Sequence, residues 1–120
     1  MNIVSLLVGV VLLSGCAVFQ VKPIQVAPGA ERVRLSNSEP GKECKFLGEV
    51  TGSQGDFMSG HFTSNADLET GARNDLKNKA ATMGGNLVTI LASRAGYTST
   101  QGGSRQTNVT TAGNVFHCPE

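Results

Sequence analysis

The sequence predicts a small α+β domain of order β-β-α-β-β, with one helix packed on a small sheet and one disulfide as a staple. Three observations carry this reading. Leu68, Ala72, Leu76, Ala80 and Met83 recur at helical spacing and stop at Gly84-Gly85. Short apolar runs bounded by turn residues flank that helix on both sides. Cys44 and Cys118 stand near the two ends of the part expected to fold.

The first segment is not part of that domain. Residues 3–13 form an apolar run that closes on Leu12-Leu13-Ser14-Gly15-Cys16. Its length and the small residues before the cysteine have the form of a bacterial lipobox. The expectation is a signal peptide at 1–15, removed to leave Cys16 as a lipid-carrying first residue. The start of the run is poor for a signal, because Met1-Asn2 adds no Lys or Arg. The alternative is an uncut anchor: residues 3–21 are uncharged and would span about 28 Å as a helix, close to a bilayer core. Ser14, Gly15 and Gln20 dilute that span. Either reading places the rest of the chain at a membrane surface. In enterobacterial lipoproteins an Asp after the lipidated cysteine marks inner-membrane retention. By that resemblance Ala17 points to the outer membrane, with an inner-membrane anchor as the alternative.

Residues 16–30, with Pro23 and Pro28 and no helical periodicity, are expected to be the lipidated N-terminus and a short extended tether. The domain is expected over 31–120. Residues 31–35 alternate, with Val33 and Leu35 on one side and Arg32 and Arg34 on the other, as in a strand. A turn with Asn37, Pro40 and Gly41 leads to a second strand at 44–51, which would place Cys44, Phe46, Gly48 and Val50 on one face. Gly48 and Gly52 mark a bulge or a close backbone approach. The helix is expected over 68–83, with Asp67 and Glu69 near its start and Lys77 and Lys79 towards its end, as the helix dipole favours. Residues 86–93 are apolar on both faces and should be a central strand. Residues 94–113 are rich in Gly, Ser, Thr, Gln and Asn, and read as a flexible loop or a loosely paired hairpin. Residues 114–118 supply the last strand.

Composition limits the function classes. The chain has 120 residues, room for one small domain, with 10 Lys+Arg against 9 Asp+Glu, so it carries no field that would steer nucleic acid. There are 5 Phe, 1 Tyr and no Trp, so the core is modest and a covalent staple is expected. Three cysteines is an odd number for an exported chain. With Cys16 given to lipid, Cys44 and Cys118 make one pair; the other reading is two unpaired thiols in a cytoplasmic protein.

No stretch amounts to a catalytic or metal site. Cys44, His61, His117 and Cys118 lack the spacing of zinc ligands, and no metal or cofactor is expected. Ser59-Gly60-His61 has no acid placed to orient the histidine. Gly84-Gly85 and Gly102-Gly103 lack the Lys-Ser/Thr of a phosphate loop. Arg94 and Arg105, in an acid-free stretch, are candidates for anionic lipid or glycan contact, or else solvated charges. Phe57, Met58 and Phe62 are candidates for a partner-contact patch, or else a lid folded over the open face of the sheet.

Three segments together carry a family resemblance: Glu39-Pro-Gly-Lys-Glu-Cys-Lys-Phe-Leu-Gly-Glu-Val-Thr-Gly52, Gly71-Ala-Arg-Asn-Asp-Leu-Lys-Asn-Lys-Ala-Ala-Thr-Met-Gly-Gly-Asn86 and Val115-Phe-His-Cys-Pro-Glu120. The chain resembles the YjeI-like proteobacterial lipoproteins, a family of unknown function. The resemblance implies a lipidated Cys16 and a paired Cys44 and Cys118. More distantly, the strand, helix, Gly-Gly-Asn and strand are similar to the periplasmic domain of RcsF, an outer-membrane stress-sensing lipoprotein. That protein has four domain cysteines and a long Pro/Lys-rich linker, and this chain has neither. The expectation is a non-enzymatic envelope lipoprotein with a structural, sensory or protein-interaction role, held to the membrane through Cys16 and meeting an envelope protein or cell-wall component. The alternative is a small-ligand or glycan-binding module using the segments 53–66 and 94–112.

Overall fold

The computed structural model describes residues 21–120; the expected signal peptide at 1–15, Cys16 and the first residues of the tether lie outside them. The elements are β1 (Arg34–Ser36), β2 (Lys45–Gln54), α1 (Asn65–Thr82), β3 (Leu87–Thr100) and β4 (Gly103–His117), the β-β-α-β-β order expected. They form one four-stranded sheet of order β1-β3-β4-β2. β1 pairs parallel with β3, and the other two pairings are antiparallel. The apolar strand at its centre is β3, as its sequence predicts.

The helix owes its position to its small residues. Leu68, Ala72, Leu76 and Ala80 are each 0% exposed. Leu76 and Ala80 meet Val33, Val88 and Val115 in one cluster, and Leu68 and Ala72 meet Val109 in a second. A methyl group on Gly52 of β2 would run into the Ala72 carbonyl oxygen and the Leu76 backbone nitrogen, so helix and strand touch backbone to backbone there. The helix begins three residues before Leu68 because Ser64 caps it, its hydroxyl accepting from the Asp67 amide at 3.1 Å. It ends in a Schellman turn: Gly85 N–H reaches Ala80 O at 2.9 Å, Gly84 N–H reaches Ala81 O at 3.0 Å, and Gly84 takes φ 83°. Met83 follows the last helical residue and is 38% exposed, so the apolar stripe ends at Ala80.

Three expectations are corrected. The first strand does not start at 31: Ala30–Arg32 is a 3-10 turn entered through Gly29 at φ 90°, and β1 begins only at Arg34. Cys44, Phe46, Gly48 and Val50 do not share a face, because the register shifts between Phe46 and Gly48. Phe46 pairs with Phe116 and packs edge-on against it, with ring centroids 5.6 Å apart, while Gly48 pairs with the buried Val115. The third correction concerns 94–112, which is not a flexible loop: of the two readings the hairpin holds, and its strands are paired throughout rather than loosely. The β3–β4 ladder continues out to Thr100 opposite Gly103. Hydroxyl pairs join the strands where apolar side chains do not: Ser93 with Thr111 at 3.0 Å, Thr98 with Thr107 at 2.9 Å and Ser99 with Ser104 at 3.0 Å.

The disulfide joins Cys44 and Cys118, immediately outside the Lys45–His117 pair that ends the β2–β4 ladder. It locks the two strands at the end of the sheet where both begin to leave it.

Candidate functional site

The candidate site is the loop between β2 and α1, together with the segment that enters the domain beside it. Gly55 takes φ 91°, and a side chain there would overlap the Thr107 carbonyl oxygen and Leu68. Asp56 then ties the loop into a knot. Its Oδ1 accepts from the Met58 amide at 2.8 Å, the Ser59 amide at 2.7 Å and the Ser59 hydroxyl at 3.1 Å. These bonds hold the Asp56 carboxyl below its ordinary range, the Ser59 amide contributing most, then the Met58 amide and the Ser59 hydroxyl. A 3-10 turn follows at Ser59–Phe62, with Gly60 pressed against the Thr107 backbone. The Thr63 hydroxyl closes it on the Ser59 carbonyl at 2.9 Å, one residue before the helix cap.

This knot holds three large apolar side chains in solvent. Phe57 and Met58 are each 66% exposed and Phe62 is 57% exposed. They are therefore not a lid over the open face of the sheet. The loop packs against Thr107 of β4, which is on the face that also carries buried Val109 and the helix.

The segment expected to be a free tether is bound from Val21 onward. The Val21 amide donates to the Phe62 carbonyl at 3.2 Å. The Ile24 amide donates to Gln54 Oε1 at 2.8 Å, and Asn74 Nδ2 donates to the Ile24 carbonyl at 2.8 Å. One turn further along α1, Asn78 donates through Nδ2 to the Gln25 carbonyl at 2.9 Å and accepts from the Ala27 amide at 2.7 Å. Side-chain amides thus stand in for a neighbouring strand, and residues 21–27 form a strap along the helix. Sequence reading missed Gln54, Asn74 and Asn78. The signal was there: two Asn four residues apart, off the apolar stripe, are poor helix formers unless their side chains have partners.

Arg94 and Arg105 do not converge. Arg94 pairs with Thr110 and borders a shallow trough of about 460 Å³ with Glu49, Thr51 and Asn108, on the face away from the helix. Arg105 pairs with Thr98, beyond a register shift at Gly96/Tyr97 that leaves Thr107 unpaired, and does not line that trough. No group of three or more His, Cys, Asp or Glu able to hold a metal occurs among the described residues. Among the same residues no helix is long and apolar enough to cross a membrane.

Comparison with known proteins gives a consistent assignment. The chain is 32% identical over 112 residues to the uncharacterized protein YjeI of Escherichia coli K12, covering 90% of this chain and 87% of that protein. The same figures hold for YjeI of Escherichia coli O6:H1 and of Shigella flexneri. Residues 24–118 match the domain of unknown function DUF4156, a span that opens in the strap at Ile24 and closes on the disulfide at Cys118. With a helix on a four-stranded sheet, a strap and a terminal disulfide in that span, the chain belongs to the DUF4156 family of YjeI-like proteins.

Proposed function

We propose that the protein is a membrane-anchored envelope lipoprotein, lipidated on Cys16, with a non-enzymatic structural, sensory or protein-interaction role at the periplasmic side of the outer membrane. One observation carries the reading. The disulfide takes up Cys44 and Cys118, and the remaining cysteine of the chain is the one that closes the apolar N-terminal run. A domain whose two cysteines are bonded fits an oxidising compartment, and a chain that enters that compartment needs an export signal. Residues 1–16 have the form of one that also supplies the anchor. Ala17 supports the outer membrane over the inner.

The test is fractionation of cells that express Cys16→Ala. The reading expects the variant to leave the membrane fraction or to accumulate uncleaved. Unchanged size and unchanged membrane association would favour an uncut anchor instead.

The trough beside Arg94 supports a second reading, a small-ligand or glycan-binding module, since it is lined by polar and small side chains with one cation, Arg94, and one carboxylate, Glu49. Arg105 is not part of that trough. This reading expects retention on peptidoglycan or lipopolysaccharide that Arg94→Ala weakens and Arg105→Ala leaves unchanged. Equal loss from both variants would point to charge alone.

A further inference from the structure

We infer that the edge of the domain carrying Phe57, Met58 and Phe62 lies in the headgroup region of the leaflet that holds Cys16. The inference rests on the lipid-anchor reading and adds to it an orientation and a second membrane contact.

Its basis is where the strap ends. The Val21 amide is bonded to the Phe62 carbonyl, so the first described residue stands at the exposed loop itself. Cys16 is five residues before Val21, and five extended residues reach at most about 18 Å. A tether bound only at residue 30 would let the domain tumble over a far wider range. With the strap in place, lipid on Cys16 keeps the Phe62 loop within that short reach of the bilayer.

The loop has the chemistry of such a contact. Of the seven large apolar side chains exposed among the described residues, three are Phe57, Met58 and Phe62. They are not exposed through slack, because the Asp56 knot, the Gly55 and Gly60 contacts with Thr107 and the Thr63 bond fix their backbone. Aromatic and apolar side chains held out of a rigid loop suit the boundary between headgroups and acyl chains. Two cations stand nearby: Lys22, exposed and next to Val21, and Arg105, two residues before Thr107, against whose backbone Gly60 sits. Anionic headgroups would meet both. Asp56 and Asp67, the latter in the first turn of α1, are the opposing charges, and three hydrogen bonds occupy Oδ1 of Asp56. The other exposed phenylalanine among the described residues, Phe46, is at the opposite end of β2 from Gln54, about 27 Å along the strand.

The chain contains no Trp, so a single introduced Trp is a clean reporter. Full-length Phe57→Trp, Phe62→Trp and Phe46→Trp proteins would be placed in phosphatidylethanolamine–phosphatidylglycerol vesicles containing bromine-labelled acyl chains. Mass spectrometry of the same samples reads the acyl groups on Cys16. The inference expects acylated Cys16, with fluorescence lost and shifted to shorter wavelength for Phe57→Trp and Phe62→Trp, and unchanged for Phe46→Trp. Acylated Cys16 without quenching at positions 57 and 62, or with equal quenching at 46, overturns the inference and leaves the anchor reading intact. A shift to shorter wavelength without quenching assigns the patch to contact between protein copies and also overturns it. Unmodified Cys16 overturns the anchor reading, and the inference with it.

Discussion

Asn86 closes both backbone groups of Cys118 with one side-chain amide: Nδ2 donates to the Cys118 carbonyl at 2.8 Å, and Oδ1 accepts from the Cys118 amide at 2.7 Å. The backbone of Asn86 is engaged as well, donating to Phe116 O and accepting from the Arg34 amide, each at 3.0 Å. One residue therefore joins β1, β3 and the end of β4, beside the disulfide. Asn86→Ala leaves a partly buried amide and carbonyl without partners, a cost of about 1–3 kcal/mol. Asn86→Asp loses the donor and sets an oxygen against the Cys118 carbonyl, so it is also destabilising. Denaturant unfolding with the disulfide intact checks both, and a wild-type midpoint for Asn86→Ala would refute the clamp.

The Cys44–Cys118 bond closes a loop with a sequence separation of 74. In the chain-entropy treatment a loop of that length restricts the unfolded chain by roughly 4.5 kcal/mol. That approaches the whole stability of a small domain. The Cys44→Ser/Cys118→Ser double variant should be largely unfolded at 37 °C or lose most of its urea resistance. Reduction of the wild-type protein should do the same. Equal midpoints with and without reductant would show that the sheet needs no staple.

Some of this architecture is legible in the sequence and some is not, for physical reasons. The buried face of α1 is visible because Leu68, Ala72, Leu76 and Ala80 repeat with the helical period. Gly84-Gly85 is visible as a stop because only glycine takes the left-handed turn easily. The outer half of the β3–β4 hairpin is hidden because hydroxyls rather than apolar side chains join its strands, and Ser-Thr-Gly composition resembles a loop. The bulge is half legible: Gly48 announces it, but nothing local says that Phe46 then turns to Phe116. The strap is hidden most completely. Its residues have no period of their own, and what holds them is a set of amide side chains 30 to 53 residues away. The exposed Phe57, Met58 and Phe62 can be named from sequence, but their closeness to the chain entry at Val21 requires the fold.

Gly52 tests the backbone contact between β2 and α1. A Cβ at this position would meet Ala72 O and the Leu76 backbone, neither of which moves without displacing the helix. Gly52→Ala should cost about 1–3 kcal/mol through overpacking. Gly102, in the hairpin turn, has ordinary room, and Gly102→Ala should stay within about 0.5 kcal/mol. Similar melting temperatures for the two variants would refute the close approach.

The strap should open on its own when its amides are removed. Asn78→Ala deletes the bonds to Ala27 and Gln25, and Asn74→Ala the bond to Ile24. At about 1 kcal/mol for each bond, Asn78→Ala should speed amide exchange at Ala27 by tenfold or more while core amides of β4 change little. Limited proteolysis should then cut within 21–28 first. Unchanged exchange at Ala27 would mean that packing of Ile24 and Val26, not the amides, holds the strap.

The apolar loop has a defined dependence on pH through Asp56. Hydrogen bonds from the Ser59 amide, the Met58 amide and the Ser59 hydroxyl hold its folded-state pKa below the ordinary 3.8. The sign follows from linkage: protons bind the unfolded loop more readily than the folded one. The contribution of the knot is complete above the ordinary value and is lost as pH falls through the lower, folded one. The loop should therefore be equally ordered at pH 5 and pH 8 and loosen only in stronger acid. Amide chemical shifts of Met58 and Ser59 should titrate together there, and Asp56→Ala should show the loosened shifts at every pH. A transition of these two amides near neutral pH would assign the knot to a different group.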